Sequence, residues 1–155
     1  MIQRIQSIYL LLTALCSGLL LAAPLYNIET ATATYQLFLG GLVQTNPKDT
    51  ILTSQPAILA VGFLLTLFPI IILFLYKKRP MQMRLAASAM MANTAMLLLL
   101  VGVVNKSLEH ITELHVKESY GVGLILPALS IVFLFLANKA IRKDDKLIRS
   151  ADRLR

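Results

Sequence analysis

Charged positions in this chain are separated by four long apolar runs, at residues 5–28, 50–76, 85–105 and 119–138, which are 24, 27, 21 and 20 residues long. A helix rises ~1.5 Å per residue, so about 20 apolar residues cross a ~30 Å hydrocarbon core. Each run is long enough. A buried helix of a soluble protein would keep a polar stripe toward water. Stretches such as Pro69-Ile70-Ile71-Ile72-Leu73-Phe74-Leu75 and Leu97-Leu98-Leu99-Leu100-Val101 are apolar all round. The pattern predicts spans at about 6–26, 56–76, 85–105 and 120–139, loops at 27–55 and 106–119, and a tail at 140–155, in one domain without internal repeat. A signal peptide ending near Leu21-Ala22-Ala23 is the rival for the first span, but Pro24 would follow the cut directly. The first helix is kept.

The loops differ in kind. Residues 30–39 are rich in β-formers and alternate, Gly40-Gly41 offers a hairpin turn to 42–45, and Thr50-Ile51-Leu52-Thr53 offers a third short strand. In the second loop Leu108, Ile111 and His115 fall at helical spacing, predicting a short amphipathic extension of the third helix. Helices in lipid pack through small residues. Ala14, Gly18 and Ala22 in the first helix, and Ser88, Ala92, Ala95 and Gly102 beside Asn93 in the third, are the seams expected inside the helix layer. Pro69 and Pro127 are expected kinks, since each lacks a backbone donor.

Composition and charge then orient the chain. Residues of the AVILMFWYC set make up 57% and charged residues 15%, well under the ~25% charged of soluble domains. With both ends inside, the N-terminus, the 77–84 loop and the tail hold 12 of the 15 basic residues, as the positive-inside rule requires. Tyr9 and Tyr76 then fall near the inner interface, and Tyr26 and Tyr120 near the outer one. The expected fold is therefore an all-α membrane protein. It is an antiparallel, left-handed bundle of four transmembrane helices, with a small extracytoplasmic β-rich loop and a basic C-terminal cytoplasmic helix.

Most chemistry is excluded by the residues present. Thiol–disulfide exchange needs paired thiols, and Cys16 is alone. Haem within the helices needs axial ligands there, but His110 and His115 lie in the second loop. None of the four apolar runs carries Asp, Glu, His, Lys or Arg, the usual mark of proton-coupled transport. Neither a catalytic residue nor a cofactor is expected. Glu109, His110, Glu113 and His115 are the one metal-like group, without the spacing of a zinc motif. Asn93 is the polar residue best placed to bond a neighbouring helix or a ligand head group. The tail is the strongest remaining feature. Leu147, Ala151 and Leu154 form an apolar stripe among Arg142, Lys146, Arg149 and Arg153, suited to anionic lipid and to docking an inner-membrane or cytoplasmic protein. Nucleic acid is not expected, because interleaved aromatics are missing.

The two ends, residues 1–12 (MIQRIQSIYLLL) and 141–155 (IRKDDKLIRSADRLR), resemble an uncharacterised family of small bacterial inner-membrane proteins. That family is known only as a domain of unknown function with four predicted spans. The resemblance implies a bacterial inner membrane and transfers no catalytic residue. The order of span, β-rich loop and three further spans also resembles the claudin-like tetraspan plan, without its junctional motif; fold does not fix function. The expected role is a non-enzymatic accessory or scaffold subunit of a larger inner-membrane complex. The alternative is binding or transport of a lipid-like or neutral small molecule near Asn93, Pro69 and Pro127.

Overall fold

The computed structural model describes residues 3–30, 33–46, 50–76, 78–109 and 115–152. Four helices, α1 (Gln3–Leu20), α2 (Pro56–Phe74), α3 (Arg79–Glu109) and α4 (Ile125–Asp152), are joined to five strands. These are β1 (Tyr26–Thr30), β2 (Thr34–Phe38), β3 (Gly41–Asn46), β4 (Thr50–Ser54) and β5 (His115–Tyr120). The expected all-α fold with a small β loop is therefore corrected: the chain combines four helices with a five-stranded antiparallel sheet.

The sheet order is β4-β3-β2-β1-β5, so the first loop supplies four strands and the second adds the fifth beside β1. Tyr26 pairs with Tyr120 and Ile28 with Glu118. The second loop thus departs from the expected helical extension. α3 runs past the expected boundary at 105 to Glu109, residues 110–114 with Ile111 lie outside the described ones, and 115–120 is strand, because β1 offers that segment a ladder of backbone partners. The β2–β3 turn falls on Leu39-Gly40, one residue earlier than expected, with Phe38 paired to Gly41. Gly41 has φ 144°, and a Cβ there would lie 1.9 Å from the Thr53 carbonyl oxygen. Only glycine fits this position.

α1 ends at Leu20, six residues short of the expected boundary. Pro24 has no N–H to continue a helix, and the Leu25 N–H bonds the Leu37 carbonyl at 2.7 Å instead. Among the described residues three helices, within Pro56–Phe74, Arg79–Ser107 and Val122–Leu147, are long and apolar enough to cross a membrane, and Ile5–Leu20 is a shorter apolar helix. Pro127 lies in the first turn of α4, where a missing N–H costs no helical bond, while Pro69 is buried inside α2.

α1 packs on α2 and α4, and α3 packs on the same two. The larger core cluster joins Cys16 and Leu20 of α1, Leu65 of α2, Met96 and Leu100 of α3 and Leu126 of α4 to Tyr26, Ile28, Leu37 and Leu42 of the sheet. The sheet is thereby seated on one end of the helices. A second cluster, Leu10, Ile72, Ala89, Leu134 and Ala137, fills the other half. Apolar side chains turned outward, such as Leu11, Leu64, Leu98 and Phe135, are exposed. In hydrocarbon they cost nothing, and helix association rests on close packing rather than on water exclusion.

Candidate functional site

Polar and charged groups collect at the end of the helices away from the sheet, where α1 begins, α2 passes into α3 and α4 leaves the helix layer. The Gln6 amide donates to the buried Asp144 carboxyl, tying α1 to α4. The Gln82 amide donates to the Ile72 carbonyl at 3.2 Å, tying α3 to α2. A cavity of about 250 Å³ opens beside them, lined by Gln6, Tyr76, Arg79 and Gln82 among others, and Arg79 Nη1 is buried there without a partner.

A larger groove of about 480 Å³ runs between α3 and the outer face of α4. Its apolar wall is Met90 and Phe135; its other wall is Lys139, Arg142, Lys143 and Lys146. Those four cations fall at i, i+3, i+4 and i+7, one helical face, and all are exposed. Asn138 also lines the groove, and its side-chain carbonyl oxygen is buried and unpartnered. Among the proposed interface residues, Arg142 and Lys146 line this groove and Leu147 is exposed. The side chains of Arg149, Ala151, Arg153 and Leu154 lie outside the described ones. Lys139, Lys143, Met90 and Phe135 were not nominated from sequence. The i, i+3, i+4, i+7 spacing marks the two lysines, whereas Met90 reaches the groove only through the packing of α3 on α4.

At the sheet end, the Tyr26 hydroxyl donates to Glu118 at 2.8 Å and its ring meets Tyr120 edge-on, centroids 5.2 Å apart. Burial, then the bond to Glu118 and its charge, push the Tyr26 pKa up to about 12. A further cavity of about 390 Å³ lies where β4 meets α2 and α3, lined by Ser54, Gln55, Lys106 and Ser107 among others.

The small-residue seams fall unevenly. Gly18 faces α2, where a Cβ would sit 3.7 Å from Thr66 Cγ2; Ala14 is half-buried and Ala22 is exposed beyond the helix. In α3 the interior line is Gln82, Ala86, Ala89, Asn93, Met96, Leu100 and Val104. Ala92 is half-buried beside it, but Ser88, Ala95 and Gly102 are exposed on the far side. The contact face of α3 mixes small residues, Ala86 and Ala89, with larger ones, and runs beside the expected seam rather than along it. Asn93 is 2% exposed and its amide donates to the Ala89 carbonyl at 3.0 Å. Residues 110–114, with His110 and Glu113, and the side chains of Glu109 and His115, lie outside what is described. Among the described residues no group of three or more His, Cys, Asp or Glu is placed to hold a metal.

These features define a membrane protein whose helices carry a sheet at one end and a polar, basic cluster at the other. The chain belongs to the family described as a domain of unknown function (DUF4293), whose model matches residues 2–154. No curated protein matches it.

Proposed function

We propose that the protein is a non-enzymatic accessory subunit of a bacterial inner-membrane complex, with both ends cytoplasmic and the tail docking a partner protein. The distribution of 12 of 15 basic residues toward the termini and the 77–84 loop supports that orientation. One observation carries the docking. α4 is an unbroken helix of 28 residues, about 42 Å long, against a hydrocarbon core of ~30 Å. Its last eight or so residues therefore stand clear of the membrane as a rigid post, held at the base by the Gln6–Asp144 bond. A preformed helix spares a partner the cost of ordering it. Leu147 starts the apolar stripe on this post, about 100° round the helix from Lys146. The alternative, a neutral ligand held near Asn93, has less support, because the Asn93 amide already has a bond within α3.

The test is a mild-detergent pull-down of the tagged protein from its native membrane. Leu147→Glu with Leu154→Glu should reduce recovery of a stoichiometric partner by about tenfold or more, on the ~1.4 kcal/mol-per-decade scale, with insertion unchanged. Equal recovery from the variant would sink the docking role.

A further inference from the structure

We propose that the groove between α3 and the basic face of α4 binds one anionic glycerophospholipid whose headgroup carries a free hydroxyl. Three independent features of the groove converge on this class of ligand. The first is depth. Lys139 lies fourteen residues from the start of α4, roughly 21 Å along it, and Lys146 roughly 32 Å, so the four cations straddle the level where a ~30 Å core gives way to head groups. Phe135, one turn before Lys139 and 58% exposed, and Met90 on α3 continue the groove into the apolar zone. One molecule with a phosphate at one end and acyl chains at the other fits both walls. A free phosphate would use only the basic one.

The second feature is charge. Lys139, Arg142, Lys143 and Lys146 line the groove with no carboxylate in its lining. A zwitterionic headgroup would bring its own cation into this field, whereas a net-anionic one is attracted by it. Arg142 can grip two phosphate oxygens at once, while the lysines act as point charges.

The third feature is Asn138. It lines the groove, is 6% exposed, and its side-chain carbonyl oxygen is buried without a partner. An acceptor left unmade in a poorly solvated place is costly, and the group that satisfies it must donate. A phosphate diester has no hydrogen to give; a glycerol hydroxyl does. The site therefore favours a phosphatidylglycerol-like headgroup over phosphatidylmethanol, an anionic diester with no hydroxyl, and over phosphatidylcholine. The Leu147 stripe borders it, Leu147 lying one helical turn beyond Lys143.

Native mass spectrometry of the full chain in mild detergent tests this, with phosphatidylglycerol, phosphatidylmethanol and phosphatidylcholine of identical acyl chains as probes, and inorganic phosphate as the soluble competitor. One phosphatidylglycerol should bind about tenfold or more tighter than phosphatidylcholine. Arg142→Gln with Lys146→Gln should weaken it by roughly fivefold per charge removed. Asn138→Leu should bring phosphatidylglycerol down to the level of phosphatidylmethanol and leave the latter unchanged. Should a charge-removing variant fail to insert, the salt dependence of the native protein decides: added salt must weaken phosphatidylglycerol and spare phosphatidylcholine. The proposal is overturned by equal binding of the anionic and zwitterionic lipids, by undiminished binding to the double variant, or by a binding that salt does not affect. Displacement of the lipid by inorganic phosphate at comparable concentration would also overturn it, assigning the basic cluster to a free anion.

Discussion

At the scale of single residues, a buried polar pair at one end of the molecule and a half-buried one at the other tie distant elements together. Gln6 and Asp144 are both buried and bonded to each other across 138 positions of sequence. Truncating one leaves the other desolvated and unmatched, which costs more than the bond itself contributes. Asp144→Ala should lower stability by about 1–3 kcal/mol in a detergent melt. Asp144→Asn, which keeps an acceptor, should lose less, and equal losses would show that Gln6 does not depend on the bond. At the other end, Tyr26 holds its proton to about pH 12 because burial and Glu118 disfavour the phenolate. The unfolded chain releases that proton near the ordinary tyrosine value of about 10. The folded state therefore binds the proton more tightly, and the stabilisation is complete below about pH 10 and lost as pH rises toward 12. An ultraviolet titration of wild type against Tyr26→Phe should find one phenol ionising late. No difference between the two curves would contradict the Tyr26–Glu118 bond.

At the scale of elements, legibility in the sequence followed the range of the interactions. The apolar runs are local signals, and a helix satisfies its backbone within itself, so α2, α3 and α4 can be read directly. The continuation of α4 into the tail also follows from local spacing. β5 could not be read this way. Its partners Tyr26 and Ile28 lie some ninety residues away, and its own residues, HVKESY, carry no strong alternation. The helical spacing of Leu108, Ile111 and His115 was the louder signal, and pairing with β1 overrode it for 115–120. The same holds for the groove: its cations are spaced visibly along α4, but the apolar wall and the buried Asn138 oxygen depend on how α3 packs. The β1–β5 pairing is directly testable. Asn27→Cys with Ser119→Cys, in a Cys16→Ala background, should form a disulfide, because those residues are registered opposite each other. Asn27→Cys with Lys117→Cys, two residues out of register, should form it poorly. The junction behind this pair is tight: the Gly121 N–H donates to the Leu25 carbonyl at 2.9 Å, and a Cβ on Gly121 would meet the Pro24 carbonyl oxygen at 2.1 Å. Gly121→Ala should therefore destabilise the sheet's seat by about 1–3 kcal/mol, read as a lower melting temperature.

At the scale of the whole molecule, the sheet and the polar end are separated by the length of the helices and share no function that either displays alone. The two core clusters, one with Tyr26, Leu37 and Leu100 and the other with Leu134 and Ile72, pack the helices along both halves of their length. In the proposed role the tail docks a partner, the α3–α4 groove holds an anionic lipid at the same membrane surface, and the sheet projects on the opposite side. This arrangement requires that a membrane lie between β4 and the tail. Membrane-impermeant maleimide labelling of intact cells tests it most directly, with Leu52→Cys and Leu147→Cys each placed in a Cys16→Ala background; both parent side chains are exposed. The account predicts that Cys at position 52 reacts in intact cells and Cys at position 147 only after the membrane is opened. Labelling of both positions from the same side would contradict it.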